Sequence, residues 1–217
     1  MRVLVTGATG FVGGNLAREL WERGYEVRAL ARPGSNSLTT IGTGIHRTEG
    51  DILDRESLSR AMAGCEAVFH CAAAYTFWSR DPRGVRRANV EGTVNVLECA
   101  RDARVHRIVY TSTVSTVGIP KDVGLGDESI ALSRHTLHGH YKQSKFDAER
   151  EAMRLAGEGV PVVVVNPTAP VGPWDVKPTP TGKIILDFIR RKDPGLPGHG
   201  NELGGRGGRQ RRAYIGP

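Results

Sequence analysis

Residues 2–14 read R-V-L-V-T-G-A-T-G-F-V-G-G. Arg2 to Val5 is a short apolar run of the kind that forms a buried strand. It leads into Thr6-Gly7-Ala8-Thr9-Gly10-Phe11-Val12-Gly13, a G-x-x-G-x-x-G spacing. Gly7 can make the tight exit from the strand. Gly10 lets the backbone approach a pyrophosphate, because no Cβ intervenes. Gly13 lets the next helix pack closely on the sheet. That helix then offers free N–H groups and the positive end of its dipole to the phosphates. The turn therefore reads as a dinucleotide cradle, with Thr9, Phe11 and Val12 set between and beside its glycines.

Working outward, the pattern is alternating. Residues 11–23 predict a helix with Val12, Leu16, Leu20 and Trp21 near one face. Residues 26–31 predict a strand closed by Pro33-Gly34, and 45–48 a weak one. Helices follow over 55–63, 81–103 and 139–156, with strands over 67–70, 107–111 and 160–165. Alternation of this kind, with continuously apolar strands, predicts an α/β fold: a doubly wound parallel sheet of the Rossmann type, covered on both faces. Ligands are expected at the carboxyl ends of its strands.

The bulk composition fits one soluble domain: 217 residues, 39% hydrophobic and 24% charged. Cys65, Cys71 and Cys99 are odd in number and form no C-x-x-C pair, so neither a disulfide framework nor a zinc site is implied. His135, His138 and His140 lack acidic or thiolate partners at ligand spacing, so no metal is expected. No apolar run is long enough for a signal-peptide core or a membrane span, and a cytoplasmic setting is expected. The net charge is +7, and Arg206, Arg209, Arg211 and Arg212 of the tail stand against Glu202 alone. The segment Gly204-Gly205-Arg206-Gly207-Gly208-Arg209 is one short arginine-glycine copy with no aromatic until Tyr214, so no nucleic-acid partner is expected.

An acidic residue usually follows the second strand and grips the ribose 2′-hydroxyl. Residues 27–35 contain none, and hold Arg28 and Arg32 instead. Arg32 sits where the strand should end, so NADP(H) is favoured over NAD(H). Asp51, followed by Ile52, either accepts from an adenine amino group or simply caps a turn.

Tyr141 and Lys145 stand at i and i+4, on one face of a predicted helix. A free phenol, with a pKa of ~10, is a poor base at neutral pH. A nearby ammonium lowers it, and bringing it to about 7 takes roughly 4 kcal/mol of differential stabilisation. Thr111-Ser112-Thr113 ends the fifth strand, where a hydroxyl can donate to a substrate oxygen while Tyr141 moves the proton.

Together these clusters resemble the extended short-chain dehydrogenases, specifically the NAD-dependent epimerase/dehydratase family. The matches are the glycine turn, Asp51, Ala72-Ala73-Ala74, Asn89-Val90-Glu91-Gly92-Thr93, Thr111-Ser112-Thr113, Tyr141-x-x-x-Lys145, and Asn166-Pro167 leading to Gly172-Pro173. Residues 139–145 and 177–185 are also similar to hopanoid-associated sugar epimerases, with dihydroflavonol-reductase-like enzymes as close relatives. The resemblance implies Tyr141 as general acid/base, Lys145 as its activator, and Thr113 as the catalytic hydroxyl, with Ser112 its less favoured neighbour. It also implies that Ala72, Ala73 and Ala74 line the cofactor, that Asn89 braces the active-site backbone, and that Pro167 and Thr168 sit by the nicotinamide. The implied substrate is a small molecule, a nucleotide sugar or a ketone; a homodimer is left open.

The expected organisation is a cofactor-binding domain over 1–166, the start of a substrate lobe over 167–194, and a Gly/Arg-rich tail over 195–217. The tail reads as the product of a frame shift. Back-translating 197–209 and reading one nucleotide later permits L-D-T-G-M-N-L-V-D-V-E-D-V, which resembles the family's continuation. Three functions follow: an epimerase or dehydratase that moves hydride at a carbon bearing oxygen, an NADPH-dependent ketone reductase, and an inactive cofactor-binding fragment. A cofactor sensor would have no need of Tyr141 and Lys145.

Overall fold

The computed structural model describes residues 1–36, 38–76, 79–120, 126–130 and 132–190. Six strands form one sheet: β1 (Arg2–Thr6), β2 (Glu26–Ala31), β3 (His46–Glu49), β4 (Ala67–His70), β5 (Arg107–Thr111) and β6 (Val162–Val165). Their spatial order is β3-β2-β1-β4-β5-β6, and every pairing is parallel. The order reverses between β1 and β4, where Thr6 stands opposite His70. A crevice opens outside the strand ends at such a switch point.

The helices are α1 (Phe11–Glu22), α2 (Arg55–Met62), α3 (Pro82–Arg86), α4 (Gly92–Asp102), α5 (His140–Gly157) and α6 (Pro180–Ile189). β1 supplies both cores, because its side chains alternate across the sheet. Leu4 joins Val68, Ile108, Val96, Leu97 and Ala152 on one face. Val3 and Val5 join Val27, Ala17 and Leu20 on the other.

Four features differ from the sequence reading. The fully buried residues of α1 are Gly13, Gly14, Ala17 and Leu20, with Leu16 and Trp21 packed partly buried against the same core and Val12 half-buried. Small residues face inward because α1 lies close on the glycine turn. The single helix expected over 81–103 is α3 and α4 joined by a turn of π-helix, Arg87–Glu91. The last strand begins at Val162 rather than residue 160. The sheet is not covered throughout, since Val163 and Val165 on β6 are 62% and 41% exposed. Ile184 and Phe188 of α6 are exposed too, so among the described residues α6 does not pack over β6. No described helix is long and apolar enough to cross a membrane. The tail over 195–217 lies outside the described residues.

Candidate active site

The glycine turn is fixed by backbone geometry at two of its three glycines. Gly7 has φ +75°, and a Cβ there would come within 2.6 Å of the Ala72 nitrogen. A Cβ on Gly13 would lie 2.4 Å from the Gly7 carbonyl oxygen. Gly10 differs: the nearest atom to its added Cβ, the Gly7 oxygen, is 3.3 Å away. That contact is tight but a shift of a few tenths of an ångström relieves it, so internal packing requires glycine less strictly here than at Gly7 and Gly13. Gly10 also begins α1 with no side-chain cap, and it lines the crevice. An uncapped helix start beside a residue without a side chain is the arrangement a pyrophosphate fits.

One cavity, of about 270 Å³, runs from this turn toward β2 and β3. Gly7, Thr9, Gly10, Arg32, Asp51, Ile52, Ala72, Ala73 and Ala74 line it. The Arg32 side chain is exposed and makes no hydrogen bond or ion pair among the described residues. Arg28 is committed elsewhere. Its guanidinium donates to the carbonyls of Ala61 and Ala63 at 3.0 and 2.9 Å, closing the end of α2. Asp51 takes the turn role, its Oδ1 accepting from the Leu53 N–H at 2.9 Å, while still facing the cavity.

A second cavity, of about 410 Å³, shares Gly7, Gly10, Cys71 and Ala73 with the first, so the two are halves of one crevice. Phe11, Val12, Gly13, Ser112, Thr113, Tyr141, Lys145, Pro167 and Thr168 line it. The glycine turn, the end of β5 and the first turn of α5 thus converge. Tyr141 packs edge-on against Tyr75 with ring centroids 4.8 Å apart. Burial pushes the Tyr141 hydroxyl up to about 12, and Tyr75 adds to it. Lys145 is 2% exposed, and its ammonium donates to the Tyr110 hydroxyl and to the Thr111 carbonyl, both at 2.8 Å. Burial brings this lysine down to about 7, with Glu149 and Cys71 pulling it back up.

The lysine expected to lower the Tyr141 pKa is held on β5 in the protein alone, and desolvation dominates both groups. Sequence spacing could not reveal this, because i,i+4 places two residues on one face without saying what that face is pressed against.

Ser112 and Thr113 part ways. The Ser112 hydroxyl donates to Glu149 Oε2. The same oxygen accepts from Thr116 Oγ1 at 2.6 Å and from Asn166 Nδ2 at 2.9 Å. Thr113 caps the short 3-10 turn Val114–Thr116, its hydroxyl accepting from the Ser115 N–H at 3.3 Å. Asn89 is 1% exposed and lines neither cavity. It sits in the π-helical turn, accepts from the Ala74 N–H at 2.7 Å and donates to Ser144 Oγ at 2.8 Å. Its place is beneath the crevice floor. Single-turn π insertions of this kind often occur at functional sites.

Glu149, Tyr110, Tyr75 and His70 escaped the sequence reading. Glu149 could have been found one helical turn beyond Lys145, and His70 as the only ionisable residue in an apolar strand.

A model of the NAD dependent epimerase/dehydratase family matches residues 3–215. A Synechocystis protein provisionally named as a dihydroflavonol 4-reductase is 48% identical over 190 residues, covering 88% of this chain and 55% of its own length. The sterol demethylase protein B of Methylococcus capsulatus is 39% identical over 188 residues, covering 87% and 57%. Among solved structures, the dTDP-glucose 4,6-dehydratase DesIV of Streptomyces venezuelae, with NAD and TYD bound, is 27% identical with a TM-score of 0.75. That match covers 88% of this chain and 63% of the other. The chain thus spans little more than half the length of the curated relatives it matches. With its glycine turn, parallel sheet and convergent Tyr141 and Lys145, this chain belongs to the NAD dependent epimerase/dehydratase family.

Proposed function

We propose that the crevice binds a nicotinamide dinucleotide and that the chain carries the proton-transfer half of an oxidoreductase acting at a carbon bearing oxygen. The observation that carries this is the meeting of Gly10, Thr113, Tyr141 and Lys145 on one continuous crevice. The bound dinucleotide would supply or accept the hydride. Gly10 and the start of α1 would hold its pyrophosphate, Arg32 a 2′-phosphate, and Ala72, Ala73 and Ala74 the floor beneath it. Pro167 and Thr168 would stand by the nicotinamide.

In the reducing direction the Tyr141 phenol gives its proton to the carbonyl oxygen while the Thr113 hydroxyl donates to that same oxygen. The alcohol product carries the hydride on carbon and the phenol's proton on oxygen. Lys145 stabilises the phenolate left behind, and solvent restores its proton.

The reductase reading is favoured over the sugar epimerase. Phe11, Tyr75, Val114 and Pro170 wall the Tyr141 end of the crevice, and among the described residues the only basic side chains lining that end are Lys142 and Lys145. These walls suit an apolar ketone better than a diphosphate. The Synechocystis relative is named as a reductase, and the Methylococcus relative's name carries an apolar substrate, a sterol.

The test is a fluorescence titration of the chain with NADPH and NADH, followed by nicotinamide absorbance on apolar ketones and, separately, nucleotide sugars. Saturable binding with loss of absorbance on ketones is expected. Absence of binding to either dinucleotide overturns the reading. Sugar interconversion without net absorbance change turns it to an epimerase.

A further inference from the structure

His70, at the carboxyl end of β4, is completely buried and plays no part in the reaction above. Its Nδ1 lies 2.7 Å from Thr6 Oγ1, and its Nε2 lies 3.0 Å from Thr93 Oγ1. The neighbours settle which nitrogen carries the proton. Thr93 Oγ1 donates to the Asn89 carbonyl at 2.6 Å, so it accepts from the imidazole, and Nε2 is the protonated nitrogen. Nδ1 then accepts from the Thr6 hydroxyl, which itself accepts from the Ala72 N–H at 3.3 Å. One hydrogen-bonded line therefore runs from the crevice floor through a neutral imidazole to the π-helical turn.

The imidazole stacks on Tyr110, with ring centroids 5.4 Å apart and planes 23° apart. Tyr110 is likewise fully buried, and its hydroxyl receives the Lys145 ammonium. The ammonium also stands 4.4 Å from the centre of the Tyr110 ring. An ammonium has three protons to place, and once out of water each unplaced proton is costly. Among the described residues Lys145 has two acceptors, and Tyr110 is one of them.

We infer that Tyr110 is the positioning residue for Lys145, with His70, pinned between Thr6 and Thr93, as the backstop that fixes the Tyr110 ring. The phenol and the Thr111 carbonyl together decide where the ammonium sits before any dinucleotide arrives. A phenylalanine at 110 would keep the ring and the stacking but leave the buried ammonium with one acceptor. Among the described residues the ionisable groups facing Lys145 are Tyr110 from β5, His70 from β4, Cys71 just after β4 and Glu149 from its own helix, with Tyr141 lining the same cavity. Burial drives His70 down to about 3, and the Lys145 charge adds to that, so the imidazole stays neutral and fit for its two bonds. The role of Lys145 at the crevice rests on the proposed dinucleotide reading, whereas its placement by Tyr110 does not.

The test is an NMR titration of the intact chain labelled with ¹³C at the lysine methylene next to the ammonium. It requires no ligand. In the unmutated chain one lysine should titrate near neutrality, well below the others. Tyr110→Phe should lower that midpoint by about one pH unit, the worth of one hydrogen bond to a charged group. His70→Gln, which keeps a donor and an acceptor but loses the ring, should move it the same way by less. NADPH affinity, read on the same samples, should weaken in both variants.

A midpoint unchanged in both variants overturns the inference, as does an unmutated chain whose lysines all titrate in the ordinary range. A displaced lysine that responds to Tyr110→Phe in a chain that does not bind NADPH supports the inference and defeats the dinucleotide reading instead. Should Tyr110→Phe fail to fold, His70→Gln alone decides.

Discussion

The side-chain amide of Asn89 donates to Ser144 Oγ at 2.8 Å, tying the π-helical turn to the helix that carries Tyr141 and Lys145. Ser144 passes the link on, donating to the Tyr141 carbonyl at 2.7 Å. The Asn89 oxygen meanwhile holds the Ala74 N–H of the crevice floor. Asn89→Ala leaves that N–H and Ser144 without their partner in a buried site. The expected cost is about 1–3 kcal/mol of unfolding free energy, read by urea denaturation. Unaltered stability would show that the link carries no load.

The three glycines of the turn should separate by function. Gly13→Ala puts a Cβ 2.4 Å from a backbone oxygen, and neither side can give way. It should lower the melting temperature and abolish dinucleotide binding together. Gly10→Ala brings its Cβ to 3.3 Å from the Gly7 carbonyl oxygen, a tight contact that a shift of a few tenths of an ångström relieves, so the loss of stability should be much smaller. Its methyl group would stand in the proposed pyrophosphate site. Calorimetry and an NADPH titration on both variants check this, and equal loss of melting temperature would refute the distinction.

Cofactor choice should turn on Arg32. The unmutated chain is expected to bind NADP(H) more tightly than NAD(H). Arg32→Ala should cost roughly tenfold or more in NADP(H) affinity, the worth of a charged hydrogen bond, and leave NAD(H) unaffected. Equal affinities before mutation would overturn the assignment.

Tyr141→Phe removes the proposed proton donor and little else, because the proposed phosphate grip lies at the glycine turn. Turnover, once a substrate is in hand, should fall by about 10²–10⁴-fold while the dinucleotide dissociation constant stays nearly constant. Near-normal turnover in that variant would remove Tyr141 from the mechanism.

Acid should destabilise the fold through His70. Its folded-state pKa, about 3, lies below the ordinary 6.5, so the unfolded chain binds the proton more readily. The stabilisation is complete above pH 6.5 and is lost progressively as pH falls toward 3. Urea midpoints measured across that window should fall, and His70→Gln should flatten the slope while lowering the plateau. A slope identical in the two proteins would assign the acid lability elsewhere.

The sequence by itself determined the fold class and picked out the main parts of the candidate site. G-x-x-G-x-x-G after an apolar strand has few other uses. Strand and helix periods alternate cleanly, and the short Tyr-x-x-x-Lys spacing survives any folding of the chain around it. These are local signals, set by backbone sterics and helical pitch. Only the tertiary structure decided that Arg28 closes α2 while Arg32 faces the crevice, and that Ser112 donates to Glu149 while Thr113 caps the turn after β5. It alone placed Lys145 on Tyr110, with His70 stacked behind. Those outcomes depend on contacts of β2 with α2 and among β4, β5 and α5, which lie tens of residues apart, and on how much water reaches each group. Neither long-range contact nor desolvation has a local trace in the chain.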